Sequence, residues 1–235
     1  MAIELPSVVA QFLNFIGVPW LNINEDKVRD FASHVRQFGS DIENAHGDAT
    51  ATLKALGSGY QGAAYEALMQ MWGSRSTTHV NELVEGCGVL ATALDVGADF
   101  IVAQKWACIG ELTGMALAFA ADQAAAFVTF GASEAAMPLI EEGATKLMEF
   151  AEQQIEQQLI GEIANAALQP LMGKIENLVQ GLVLEGGGSA VAGPSFEVDM
   201  GHVESHGEVM QAHAETVSGH VADFTSNLRG LDFTS

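Results

Sequence analysis

The sequence predicts an all-α protein: a long antiparallel helical hairpin extended into a helical bundle, with a tethered C-terminal helix. Three observations carry that expectation. Alanine, glutamate and leucine dominate long stretches, a composition that favours helix. The clearest pattern is Val28, Phe31, Val35, Phe38, Ile42, Ala45, Ala49, Leu53, Leu56, whose steps of three and four sustain a heptad-like seam over about four heptads. Strand signals are weak: no long period-2 alternation occurs, and β-branched residues are scattered.

Element by element, Pro6 sits near a helix start, with Val8, Val9, Phe12, Phe15 and Ile16 behind it and Gly17 and Pro19 to stop it. Asn22 or Asn24 can cap the next helix, and Glu25 and Asp26 suit the positive end of its dipole. From Asn24 to Leu56 that helix would be roughly 50 Å long. A seam this narrow needs a partner helix. Tyr65, Leu68, Trp72, Leu83, Leu90, Leu94 and Ile101 continue at steps near multiples of 3.5, so a second long helix follows. Phe31, Val35, Phe38, Ile42, Leu68 and Trp72 are the expected hairpin packing residues.

Between the two helices lies "GSGYQG", residues 57 to 62, which fits G-x-G-x-x-G. A dinucleotide loop needs a buried strand before it and a βαβ unit around it. Here an amphipathic helix precedes it, and the lysine of a P-loop is absent. The expectation is a helical elbow: Gly57 or Gly59 stops the first helix at positive φ, and Gly62 allows a tight turn.

Residues 106 to 184 stay helical in character but change texture. Trp106 to Ile140 is Ala-rich, Pro138 marks a break, and Leu147, Phe150, Ile155, Leu159 and Ile163 are the expected buried stripe. Residues 185 to 195, "EGGGSAVAGPS", read as a flexible linker. In the tail, Val203, Met210, Val217, Phe224 and Leu231 recur every seven residues, predicting one more helix. Gly201, Gly207 and Gly219 weaken it, so it must dock on something. The organisation is thus 1–105, an N-terminal helix plus hairpin; 106–184, an Ala-rich helical extension; 185–195, linker; 196–235, C-terminal helix.

The net charge is −21, from 30 acidic and 9 basic residues, which argues against nucleic acid and anionic membrane partners. The start, Met1-Ala2-Ile3-Glu4, does not read as a secretory signal peptide. No stretch of 18 uncharged apolar residues occurs, which disfavours an ordinary transmembrane helix.

No enzyme signature is legible. Cys87 and Cys108, on one helix, would lie about 31 Å apart, too far for a bridge, and read as small buried residues. Glu141, Glu142, Glu152 and Glu156 read as solvated helix faces. His202, His206, His213 and His220 fall within about 40° of one another on an ideal helix. Without nearby cysteine or an HExxH glutamate, they read first as polar edging of a packing seam. A pH-sensitive docking contact is the sharper alternative. No metal and no cofactor is expected.

A capped long helix, a Gly-rich turn with an aromatic-x-Gly core and a second long helix resemble the Trp-x-Gly family (WXG) of helical-hairpin proteins exported by type VII secretion systems. Tyr60, Gln61 and Gly62 stand at the positions of the family's Trp-x-Gly, with tyrosine replacing tryptophan. The larger layout is similar to the WXG-like N-terminal domain of actinobacterial polymorphic toxins and channel-and-necrosis-toxin proteins. The family's second signal, Tyr-x-x-x-Asp or Glu, is absent; Phe130 to Glu134 has its aromatic-to-acid spacing.

The resemblance implies a non-catalytic export-targeting and docking module of a toxin-associated protein. The chain would be made in the cytoplasm and secreted or held at the cell surface by a signal-peptide-independent route. Implied partners are a secretion translocase and either a small WXG-like chain or the protein's own C-terminal helix, with a homo-oligomer as a further option. Two rival readings remain open: a membrane-active or channel-forming domain built on residues 106 to 140, and a structural coiled-coil adaptor.

Overall fold

The computed structural model describes residues 3–126, 137–162, 197–198 and 200–233, apart from certain side chains that include those of Tyr60, Gln61, His202 and Val203. In chain order the elements are α1 (Ser7–Ile16), α2 (Glu25–Leu56), β1 (Tyr60–Gln61), α3 (Ala63–Met71), a π-helical turn (Trp72–Ser76), α4 (Thr77–Ala126), α5 (Met137–Glu162), β2 (Glu197–Val198) and α6 (Met200–Arg229). The fold is all-α, a helical hairpin and bundle. The strands are two residues each and pair antiparallel, Tyr60 with Val198 and Gln61 with Glu197. The expected linker, residues 185–195, lies outside the described residues.

The chain divides into two compact units. One comprises the described parts of Met1–Asp30, Leu94–Glu162 and Asp232–Ser235, the other those of Phe31–Ala93 and Ile163–Leu231.

In the first unit, α1 buries Val9, Phe12, Leu13 and Ile16; of the expected apolar face, Val8 and Phe15 are instead 53% and 63% exposed, and Leu13 is buried in addition. Phe12 and Phe15 meet Phe119 of α4 with ring centroids 5.8 and 5.2 Å apart. Ala98, Ile101, Cys108, Ile109, Leu112 and Ala116 of α4 are buried. On α5 the buried residues are Ala144, Met148, Ala151 and Ile155. This differs from the expected stripe. Ile155 is in it, but Phe150 is 58% exposed, Leu147 and Leu159 are half-buried, and Ile163 lies outside the described residues. The seam alternates Ala144 and Ala151 with Met148 and Ile155 at steps of four, three and four, and a reading that follows large side chains alone misses the alanines. Pro138 is the second residue of α5, where its missing N–H costs no helical hydrogen bond.

In the second unit, α2 packs antiparallel to α3 and the start of α4. The hydroxyl of Tyr65 donates to the carbonyl of Leu53 (3.2 Å), Trp72 Nε1 to Thr50 Oγ1 (2.9 Å), and His46 Nε2 meets Thr77 Oγ1 (3.3 Å). The partner numbers fall on α2 as they rise along the second strand of the hairpin. The seam is buried as its period predicts: Val35, Ile42, Ala45, Ala49, Leu53 and Leu56 are each at most 8% exposed. Phe31, Phe38, Leu68 and Trp72 are half-buried.

Asn24 caps α2 by accepting the Lys27 N–H at 3.2 Å, with Glu25 and Asp26 in the first turn. By length and composition alone, the helical stretch Tyr65–Ala121 contains a window apolar enough to cross a membrane, with mean hydropathy 1.6. In the first unit Ala98, Ile101, Ile109, Leu112 and Ala116 on it are buried, whereas Val96, Trp106 and Leu117 are exposed.

Candidate functional site

The elbow is the site that the sequence singles out. Gly57, Ser58 and Gly59 donate their N–H groups to Lys54, Ala55 and Leu56, so α2 ends by tightening into i→i−3 bonds. The expectation of positive φ at Gly57 or Gly59 is corrected: among the described residues only Gly17 and Gly62 have positive φ. Gly57 has a steric role instead. A Cβ there would lie 2.5 Å from the Tyr65 hydroxyl oxygen and 2.6 Å from Cζ. The missing side chain lets the Tyr65 ring lie across the end of α2. There its hydroxyl approaches the carbonyl of Leu53 and, more distantly, that of Lys54, which also accepts from Gly57. Gly62, at φ 136° and ψ 176°, occupies a region that L side chains rarely adopt and starts α3. The backbones of Tyr60 and Gln61 pair with β2; their side chains lie outside the description.

One turn further on, the chain forms a π-helical turn at Trp72–Ser76, with the Thr77 N–H bonded to the Trp72 carbonyl. The i→i+5 pattern brings Thr77 round beneath Trp72. His46 of α2 is held there: its ring stacks on Trp72 at 5.2 Å and 13°, with Ser76 Oγ 3.4 Å from Nδ1. Burial lowers the pKa of His46 below the usual histidine value. Sequence reading placed Trp72 on the packing face but gave His46 no role, because its partners are about 30 residues away.

Helix α6 lies along α2, antiparallel to it and in register. His213 Nε2 meets Thr52 Oγ1 at 3.0 Å, His220 Nδ1 lies 3.9 Å from Asp41, and Phe224 stacks on Phe38 at 4.6 Å. The histidine edge therefore faces the hairpin at His213 and His220. Among the described residues no group of three His, Cys, Asp or Glu is placed to hold a metal ion. Cys87 and Cys108 are free and buried, and burial raises both thiols, Cys108 to about 11 with Glu111 adding to the rise. Phe130 and Glu134 lie outside the described residues.

In the first unit a buried pair joins the helices. Lys105 Nζ donates to Glu25 Oε2 at 2.7 Å, both side chains fully buried, and the Ile3 N–H donates to Oε1 at 2.6 Å. Burial pushes the Glu25 carboxyl up, but the hydrogen bonds from Lys105 and the backbone outweigh it and hold the pKa below the ordinary value.

Fold and site together define a helical-hairpin protein. A family model described as a WXG100 like domain matches residues 4–147, and the chain belongs to this WXG100-like family. No curated protein and no solved structure matches the chain. The family makes this a type VII secretion-related helical protein. Its members are typically non-enzymatic, generally form dimers, and fit a signal-peptide-independent export route.

Proposed function

We propose that the chain is a non-catalytic export-targeting and docking module of a toxin-associated type VII substrate, in which α6 takes, within one chain, the place of a partner helix. The observation that supports this reading is the register of α6 along α2, from Thr52–His213 to Phe38–Phe224. It covers a seam that a lone hairpin would leave open. The β1–β2 pair brings the chain just before α6 to the elbow itself. In this reading Tyr60, Gln61 and Gly62 form the turn that a translocase reads, and Phe130 and Glu134 supply the second signal.

The experiment is secretion of the full chain by a cell carrying the matching export system, comparing wild type with Tyr60→Ala. Secretion should fall several-fold while the helical circular-dichroism spectrum stays unchanged. A structural coiled-coil adaptor would be indifferent to this change, and equal secretion of the two proteins would sink the role given to Tyr60.

A further inference from the structure

In the second unit, α2, the π-helical turn, the start of α4 and α6 line a half-open cavity of about 470 Å³. Phe38, Ile42, Trp72, Leu83, Met210 and Val217 form much of its wall. None of the described lining residues is Asp, Glu, Lys or Arg. The polar groups that reach the wall are already engaged: His46 with Thr77 and Ser76, Trp72 Nε1 with Thr50, and His213 with Thr52. The cavity volume falls within the range of small-molecule sites, roughly 300–1,000 Å³. Val217 and Val221 on its lining keep 36% and 46% of their exposure, so solvent-side entry is open.

We propose that this cavity is a binding site for one uncharged, hydrocarbon-like small molecule. The charge of the ligand follows from its surroundings. Among the described lining residues the only basic side chains are His46 and His213, both engaged with hydroxyl groups, and the chain as a whole carries −21, which repels an anion. Among the described residues no carboxylate lines it to hold a cation. The apolar walls supply the driving force by removing hydrocarbon from water, and the Trp72–His46 stack gives a flat surface for a ring.

The test uses N-phenyl-1-naphthylamine, an uncharged probe whose emission rises in apolar surroundings, titrated into the full chain. Saturable binding of one probe per chain is expected. Ala214→Phe adds a ring to the wall from α6, where Ala214 is otherwise exposed, and should weaken binding at least ten-fold with an unchanged helical spectrum. Val217→Phe, read the same way, serves if Ala214→Phe does not fold. Ala212→Phe, on the same helix but away from the lining, should bind as wild type does. The anionic analogue 1-anilinonaphthalene-8-sulfonate should bind at least ten-fold more weakly. Absence of saturable binding, or binding that the filling variants leave unchanged, overturns the site; equal affinity for the anionic analogue overturns the ligand class.

Discussion

Replacing Lys105 by methionine should be among the most damaging single changes in the first unit. The Lys105–Glu25 contact is 2.7 Å, with both side chains fully buried. At that distance an effective dielectric near 20 gives an attraction of about 6 kcal/mol. Removing each charge from water costs several kcal/mol, so the intact pair comes out near balance. Lys105→Met removes the attraction but leaves the Glu25 carboxylate buried, with the Ile3 N–H as its hydrogen bond from outside α2. The expected loss is about 3–5 kcal/mol, or roughly 6–20 °C in Tm for a chain of this size.

The double variant Glu25→Gln, Lys105→Met keeps an acceptor for Ile3 and buries no charge. It should recover to within about 1.5 kcal/mol of wild type. Urea unfolding followed by far-ultraviolet circular dichroism, arranged as a double-mutant cycle, measures the coupling. A Lys105→Met cost below about 1 kcal/mol, in the range of an exposed pair, would refute the claim that the pair is desolvated. The pH dependence has a definite sign. The folded pKa of Glu25 is depressed, so its contribution is present above the unfolded value of about 4.3 and is lost as pH falls through the folded value.

Two further outcomes follow from the second unit. Gly57→Ala should destabilise by about 1–3 kcal/mol because its Cβ meets the Tyr65 ring. In a Tyr65→Leu background most of that cost should disappear, which thermal melts of the four proteins would reveal. His46 has a lowered folded pKa, so the unfolded chain binds more protons below about pH 6.5, and stability should fall as the solution is acidified through that window. His46→Phe keeps a ring against Trp72 and should flatten this part of the stability profile; identical pH slopes in the two proteins would count against buried His46 as its source.

The parts of the fold that were legible in the sequence are those governed by local periodicity. The seam from Val28 to Leu56 repeats at heptad spacing, and a helix buries whatever recurs on one face, so the hairpin's first helix could be read residue by residue. The elbow was legible as a turn because glycine is poor in helix interiors, and Gly62 does take the conformation that only glycine adopts freely. Its internal mechanics were not legible. Gly57 serves the packing of Tyr65, eight residues on, rather than its own φ. On α5 the buried face runs through Ala144 and Ala151, and small residues carry little hydrophobic signal even where they are fully buried.

The sequence by itself determined that the chain is helical, where its long helices bend back, and that α2 carries a face requiring a partner. Only the tertiary structure decided which groups meet across that face. Glu25 and Lys105 stand 80 positions apart, and Thr52 and His213 stand 161 apart. Periodicity fixes the direction of a side chain on its own helix, but it carries no information about which distant helix supplies the other half of the contact. That choice is made by packing and by the need to satisfy buried charge, and both are properties of the folded chain as a whole.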